Sequence, residues 1–126
     1  MRALLIVNPR ATSISGPAID RVVRELGADC DLDTALTRYR GHARELAAAA
    51  GDYGLVVPLG GDGTVNEVVN GLMDGGGGPA LAPVPGGGAN VFARTLGLPP
   101  DPVLAARQIA AAVAANRSRV IGLGHV

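Results

Sequence analysis

"PLGGDGTVNEVVNGL", residues 58–72, sets three glycines and an acid between a short apolar run and a segment of helical periodicity. Gly60, Gly61 and Gly63 carry no side chains, so a ligand can come close to the main chain there. Beyond them Val65, Val68, Val69, Leu72 and Met73 recur at i, i+3, i+4, i+7 and i+8, which predicts a helix over 64–73 with one face on a sheet. Asn66, Glu67 and Asn70 then face elsewhere. A glycine turn running into a helix offers main-chain N–H groups at the positive end of the helix dipole, which suits an anion.

Asp62 sits inside that turn and would repel a bare phosphate. The turn is not a Walker A loop, because that motif requires a lysine and the chain has none. Its glycine spacing does not fit the dinucleotide fingerprint either. Mg²⁺ carried on nucleotide phosphates would reconcile acid and anion, since magnesium joins carboxylates to phosphates through retained waters. A second reading needs no ligand. Asp62 can serve as the helix N-cap, and Thr64 with Glu67 fits a T-x-x-E capping box. The residues alone are compatible with both.

Working outward, residues 2–7 (RALLIV) and 54–59 (GLVVPL) are short apolar runs of the kind buried in parallel sheets. Pro58 cannot donate to a ladder, so the second run is expected to fray or bulge there. Residues 30–37 alternate, with Cys30, Leu32, Thr34 and Leu36 on one face, and predict a half-exposed strand toward a sheet edge. Residues 80–84 form a further strand, and 117–126 look like the start of another. Helices are predicted from Pro17 to Gly27, over 41–50, over 89–96 and over 103–115. Strands alternating with helices favour an α/β domain with an open, mainly parallel sheet and flanking helices. Ligands of such sheets bind at the carboxyl ends of strands, where Asn8, Thr37, the 60–63 turn and a second glycine loop at 85–88 all fall.

With 126 residues the chain has the size of one domain, typically about 100–200 residues. It is 48% hydrophobic, which is enough for a core, but Phe92, Tyr39 and Tyr53 are its only aromatic residues, so small aliphatic side chains must fill that core. Net charge is zero, giving no long-range attraction to nucleic acid. Cys30 is the lone cysteine, which suits a reducing compartment. The run "ALLIV" is too short for a signal peptide, and no run reaches membrane-spanning length, so a cytoplasmic domain is expected.

The stretch "GGDGTVNEVVNGL" resembles the nucleotide loop of the diacylglycerol kinase catalytic family, which includes bacterial lipid kinases and sphingosine kinases. The GGDGT core is shared with NAD kinases and, more loosely, phosphofructokinases, while "NEVVNGL" narrows it to the lipid-kinase branch. "NP" at 8–9, "TRYRGHA" at 37–43 and "PGGGANVFART" at 85–95 lie in the family's order. The resemblance implies an NAD kinase- or diacylglycerol kinase-like N-terminal fold, with ATP and Mg²⁺ as cofactors. It implies nucleotide contacts from Asn8, Thr37, Gly60 and the run Gly61, Asp62, Gly63, Thr64, Val65, Asn66 and Glu67, with Asp62 near the metal-nucleotide charge. In the second loop, which usually reads G-T-x-N-D, Gly88 stands at the threonine and Val91 at the aspartate, leaving backbone contacts at Gly88. Pro58 replaces a usually small or β-branched residue.

Family members continue into a β-rich domain carrying the lipid pocket, further Mg²⁺ contacts and a general base. Residues 117–126 resemble the strand leading into it. The resemblance therefore implies that residues 1–126 are the nucleotide-binding half of a lipid kinase acting on a membrane lipid, peripheral at the inner membrane face and inactive alone. The surface left uncovered is expected to favour self-association. The alternatives are a small-molecule kinase of the NAD kinase or phosphofructokinase type, and a non-catalytic nucleotide-binding or assembly module. Arg38, Arg40 and Arg44 cluster near the expected mouth and read as a solvated face or as phosphate or headgroup contacts. His42 and His125 read as structural or exposed.

Overall fold

The computed structural model describes residues 1–10, 15–85 and 101–115, and the backbone of 124–125. The expected helix over 89–96, together with Gly88 and Val91, lies outside these residues. The elements follow the predicted alternation: β1 (Arg2–Val7), α1 (Gly16–Gly27), β2 (Asp31–Leu36), α2 (His42–Ala48), β3 (Leu55–Gly60), α3 (Asp62–Asp74), β4 (Ala80–Leu81), β5 (Val84–Pro85), α4 (Pro102–Ala114) and β6 (Gly124–His125). The sheet runs β2-β1-β3-β4-β6, with β5 also pairing β3. All pairs are parallel except β4 with β6. The open, mainly parallel α/β sheet is therefore the observed fold.

Successive strand residues point to opposite faces, and this divides the core in two. Ala3, Leu5, Val7, Leu55, Val57 and Leu59 meet Val22 and Leu26 of α1 and Ile109 of α4 on one side. Leu4, Ile6 and Val56 meet Ala43 and Ala47 of α2 and Val68 and Leu72 of α3 on the other. Strands buried on both faces explain the unbroken apolar runs of β1 and β3. β2 lies at the sheet edge, as its alternation predicts, although Leu36 at its end is exposed.

Helix starts follow local chemistry. Ser15 Oγ accepts from Ala18 N–H at 3.3 Å ahead of α1, and Asp101 Oδ1 accepts from Val103 and Leu104 N–H at 2.9 and 3.0 Å ahead of α4.

Pro58 breaks no strand. β3 is continuous to Gly60 and pairs Ile6 with Pro58 in regular register. Asn8 N–H donates to Leu59 O at 3.2 Å, so Leu59 faces β1 and alternation turns Pro58 to the other side. There β3 pairs with β4 through Leu55 and Val56 and with β5 through Leu59 and Gly60, leaving a gap beside Pro58. The missing donor is thus accommodated by its neighbour. The single strand expected over 80–84 becomes two short ones at that gap.

The chain passes from β1 outward to β2, then returns past β1 to β3. The direction of winding therefore reverses between β1 and β3, which opens a crevice at their carboxyl ends. Asn8 and Gly61 stand at those two ends.

Candidate functional site

Three segments meet at the crevice: the residues after β1, the β2–α2 loop, and the β3–α3 turn. Asn8 joins two of them. Its Oδ1 accepts from Arg10 N–H at 3.1 Å, a turn that folds the chain back after β1, and its Nδ2 donates to Thr64 Oγ1 at 3.4 Å. Thr37 N–H donates to Val7 O at 2.8 Å, extending the β1–β2 ladder by one bond and burying Thr37.

The structure corrects the capping reading of the glycine turn. α3 begins at Asp62, two residues earlier than the periodicity indicates, and its N-cap is Gly61, which has no side chain to cap it with. Asp62 is exposed in the first turn, where a carboxylate is favoured by the helix dipole. Thr64 and Glu67 form no capping box. Thr64 is buried and takes the bond from Asn8, while Glu67 Oε1 accepts from Gly41 N–H at 3.1 Å. Both side chains are spent on tertiary partners.

The glycines divide by role. A Cβ on Gly60 would stand 2.6 Å from Thr64 Oγ1, so this position needs the missing side chain for packing. Cβ atoms on Gly61 and Gly63 would meet nothing within 4 Å, leaving open space over the turn. Val65 is fully buried in the domain interior, which excludes a side-chain contact with a ligand there, whereas Asn66 is exposed.

Beside the turn lies a cavity of about 220 Å³ lined by Asn8, Arg10, Thr37, Arg38, Tyr39, Arg40 and Glu67. Its lining does not include the glycine turn, which adjoins it through the Asn8–Thr64 bond. Drug-sized ligands occupy roughly 300–1,000 Å³, so the cavity alone has room for only part of such a ligand. Among the described residues the lining holds three arginines and one acid. The ion pairs among the described residues are Arg2–Asp33, Arg44–Asp74 and Arg107–Glu25, so none of the cavity arginines is engaged. The cavity is suited to a polyanion.

Arg44 departs from the cluster expected at the mouth. It binds Asp74 through two bonds of 2.6 and 3.0 Å on the seam between α2 and α3, away from the cavity lining. Arg10 takes its place, although sequence reasoning passed over it. Its signal was its position directly after the Asn-Pro that ends the first strand. Tyr39 was also missed. Its ring stacks on His42 at 4.5 Å between centroids, and its hydroxyl donates to Glu45, which raises the phenol above its ordinary value. His42 Nδ1 accepts from Arg38 N–H at 3.0 Å, so this histidine is structural as expected.

A nucleotide fits the donors present: the main chain at the start of α3, open space over Gly61 and Gly63, and the cavity arginines. Magnesium has one exposed carboxylate on the turn, Asp62. No three of His, Cys, Asp and Glu gather to hold a metal among the described residues, so phosphate oxygens and water would have to complete its shell. Among the described residues no helix is long and apolar enough to cross a membrane.

Comparison with known proteins agrees with this fold. The chain matches the diacylglycerol kinase catalytic domain over residues 2–124. It is 36% identical to a diacylglycerol kinase of Bacillus subtilis over 129 aligned positions, covering 99% of this chain and 42% of that protein. It is 39% identical over 105 positions to a Pseudomonas aeruginosa protein named "Probable lipid kinase YegS-like", covering 82% of this chain and 32% of the relative. A crystal structure of a diacylglycerol kinase from Bacillus anthracis superposes with a TM-score of 0.81 at 37% identity, over 87% of this chain and 42% of that one. The chain thus spans less than half the length of these relatives. By sequence match over nearly its whole length, it belongs to the diacylglycerol kinase catalytic domain family.

Proposed function

We propose that residues 1–126 form the nucleotide-binding part of an ATP- and Mg²⁺-dependent lipid kinase that passes the γ-phosphate to a lipid hydroxyl. One observation carries this reading: Thr64 and Glu67, the capping-box pair, are bonded to Asn8 and Gly41 instead, and open space lies where Cβ atoms on Gly61 and Gly63 would go. A polyphosphate there meets main-chain donors and the positive end of the α3 dipole. Arg10, Arg38 and Arg40 add charge from the adjoining cavity. Asp62 is the residue that would hold Mg²⁺, whose chemistry is to neutralise phosphate charge. Thr37 and Asn8 shape the crevice from the β2 and β1 sides.

Phosphoryl transfer rests on positioning and charge stabilisation together with an oriented acceptor. The crevice supplies the first two. The acceptor site belongs to the β-rich domain that the family resemblance implies, and it would meet its lipid at the inner membrane face. Residues 1–126 by themselves are therefore expected to bind nucleotide without phosphorylating lipid.

Calorimetric titration of ATP with Mg²⁺ into the unaltered chain and into Asp62→Ala tests the reading. Saturable binding, weakened about tenfold by the substitution, is the expected result, equivalent to roughly 1.4 kcal/mol. No binding by the unaltered chain overturns the assignment, and ATP-dependent lipid phosphorylation by these residues alone overturns the division of labour.

A further inference from the structure

Among the described residues Glu67 is the only acid in the cavity lining, and its carboxylate reaches a main-chain donor 26 residues away. That donor, Gly41 N–H, belongs to the residue preceding α2. Gly41 has φ +90°, in the left-handed region that favours glycine, and α2 has no side-chain cap. The bond from Glu67 therefore meets a main-chain group that the fold presents in one strained-for-others conformation.

The wall of the cavity, Thr37 to Arg40, hangs between two anchors. At one end Thr37 N–H is bonded to Val7 O, and at the other Gly41 N–H is bonded to Glu67. Between them the loop is braced internally: Arg38 N–H donates to His42 Nδ1, and His42 N–H donates to Tyr39 O at 3.1 Å. Behind the wall, α2 and α3 are held by the Arg44–Asp74 pair and by close packing at Gly71. Glu67 is the cavity-side end of this seam.

We propose that Glu67 is a positioning residue. It latches the arginine-bearing wall to the helix that starts at the glycine turn, so the two halves of the crevice keep one spacing. It acts through Gly41. A charge-assisted bond across elements suits that task, because its loss frees the wall without altering any ligand donor. The proposal rests on the nucleotide reading above.

The test pairs two readouts on Glu67→Gln and Glu67→Ala. Glutamine retains an acceptor oxygen and loses the charge, whereas alanine loses both. Amide hydrogen exchange at Gly41, measured by NMR without nucleotide, should accelerate in Glu67→Ala and be largely restored in Glu67→Gln. ATP–Mg²⁺ affinity should fall about tenfold in Glu67→Ala, the scale of one lost hydrogen bond, and recover most of that in Glu67→Gln. In the unaltered chain the Gly41 amide should already be protected from exchange, an arm that needs no variant to fold. Equal loss of affinity in both variants would mean that Glu67 acts on the ligand by charge and would overturn the proposal. So would a Gly41 amide indifferent to Glu67→Ala, or unprotected in the unaltered chain. If the unaltered chain binds no ATP–Mg²⁺, the nucleotide reading fails, and the Gly41 measurements alone decide the latch.

Discussion

Gly71 of α3 lies so close to Arg44 of α2 that a Cβ on it would stand 2.2 Å from the Arg44 carbonyl oxygen. The same atom would be 2.7 Å from Ala47 Cβ. The obstacle is backbone and cannot rotate away. Gly71→Ala is expected to part the two helices and cost about 3 kcal/mol, at the upper end of overpacking penalties. Urea denaturation read by circular dichroism measures it, and a loss under about 0.5 kcal/mol would show that the seam yields.

Gly63 is the counter-case. It lies in the first turn of α3 with open space where a Cβ would go. Gly63→Ala should leave stability unchanged or raise it by about 0.5 kcal/mol, since alanine has less chain entropy to lose. The added methyl faces the space assigned to phosphate, so ATP–Mg²⁺ affinity should fall while the melting temperature holds. Parallel loss of both would locate the effect in folding.

Asp101 caps α4 with two bonds to main-chain N–H groups. Asp101→Ala removes both, and caps of this kind are worth about 1 kcal/mol. For a domain of this size the melting temperature should drop roughly 4 °C. Asp101→Asn or Asp101→Ser should restore most of it, because either side chain offers the same acceptor.

The hydrogen bonds from Arg44 hold the Asp74 carboxyl below its ordinary value. A depressed carboxyl contributes stability that is present above its unfolded value and lost as pH falls through the folded one. Both side chains are about half exposed, so the contribution is small. A ¹³C NMR titration should give a midpoint for Asp74 below the usual carboxylate range, and Arg44→Gln should return it there. An unshifted midpoint in the unaltered chain would dissolve the clasp.

The element order, the edge position of β2 and the two-sided burial of β1 and β3 were legible in the residue pattern. The reason is local: side-chain period is a property of the strand or helix itself. Pro58 was misjudged because a missing donor matters only if a partner needs it, and the neighbouring strand is interrupted at that point. The start of α3 was set two residues late, because Asp62, Gly63 and Thr64 precede the first apolar residue that registers the period, Val65.

By itself, the sequence determined that a glycine turn with an acid enters a helix at a strand end. It also fixed which faces of these elements are apolar. Tertiary structure decided what the polar side chains do. Thr64 meets Asn8 across 56 residues, Glu67 meets Gly41 across 26, and Arg44 turns to Asp74 while Arg10 joins Arg38 and Arg40. Backbone periodicity belongs to a few consecutive residues, but a hydrogen-bond partner depends on which elements the winding of the sheet brings side by side.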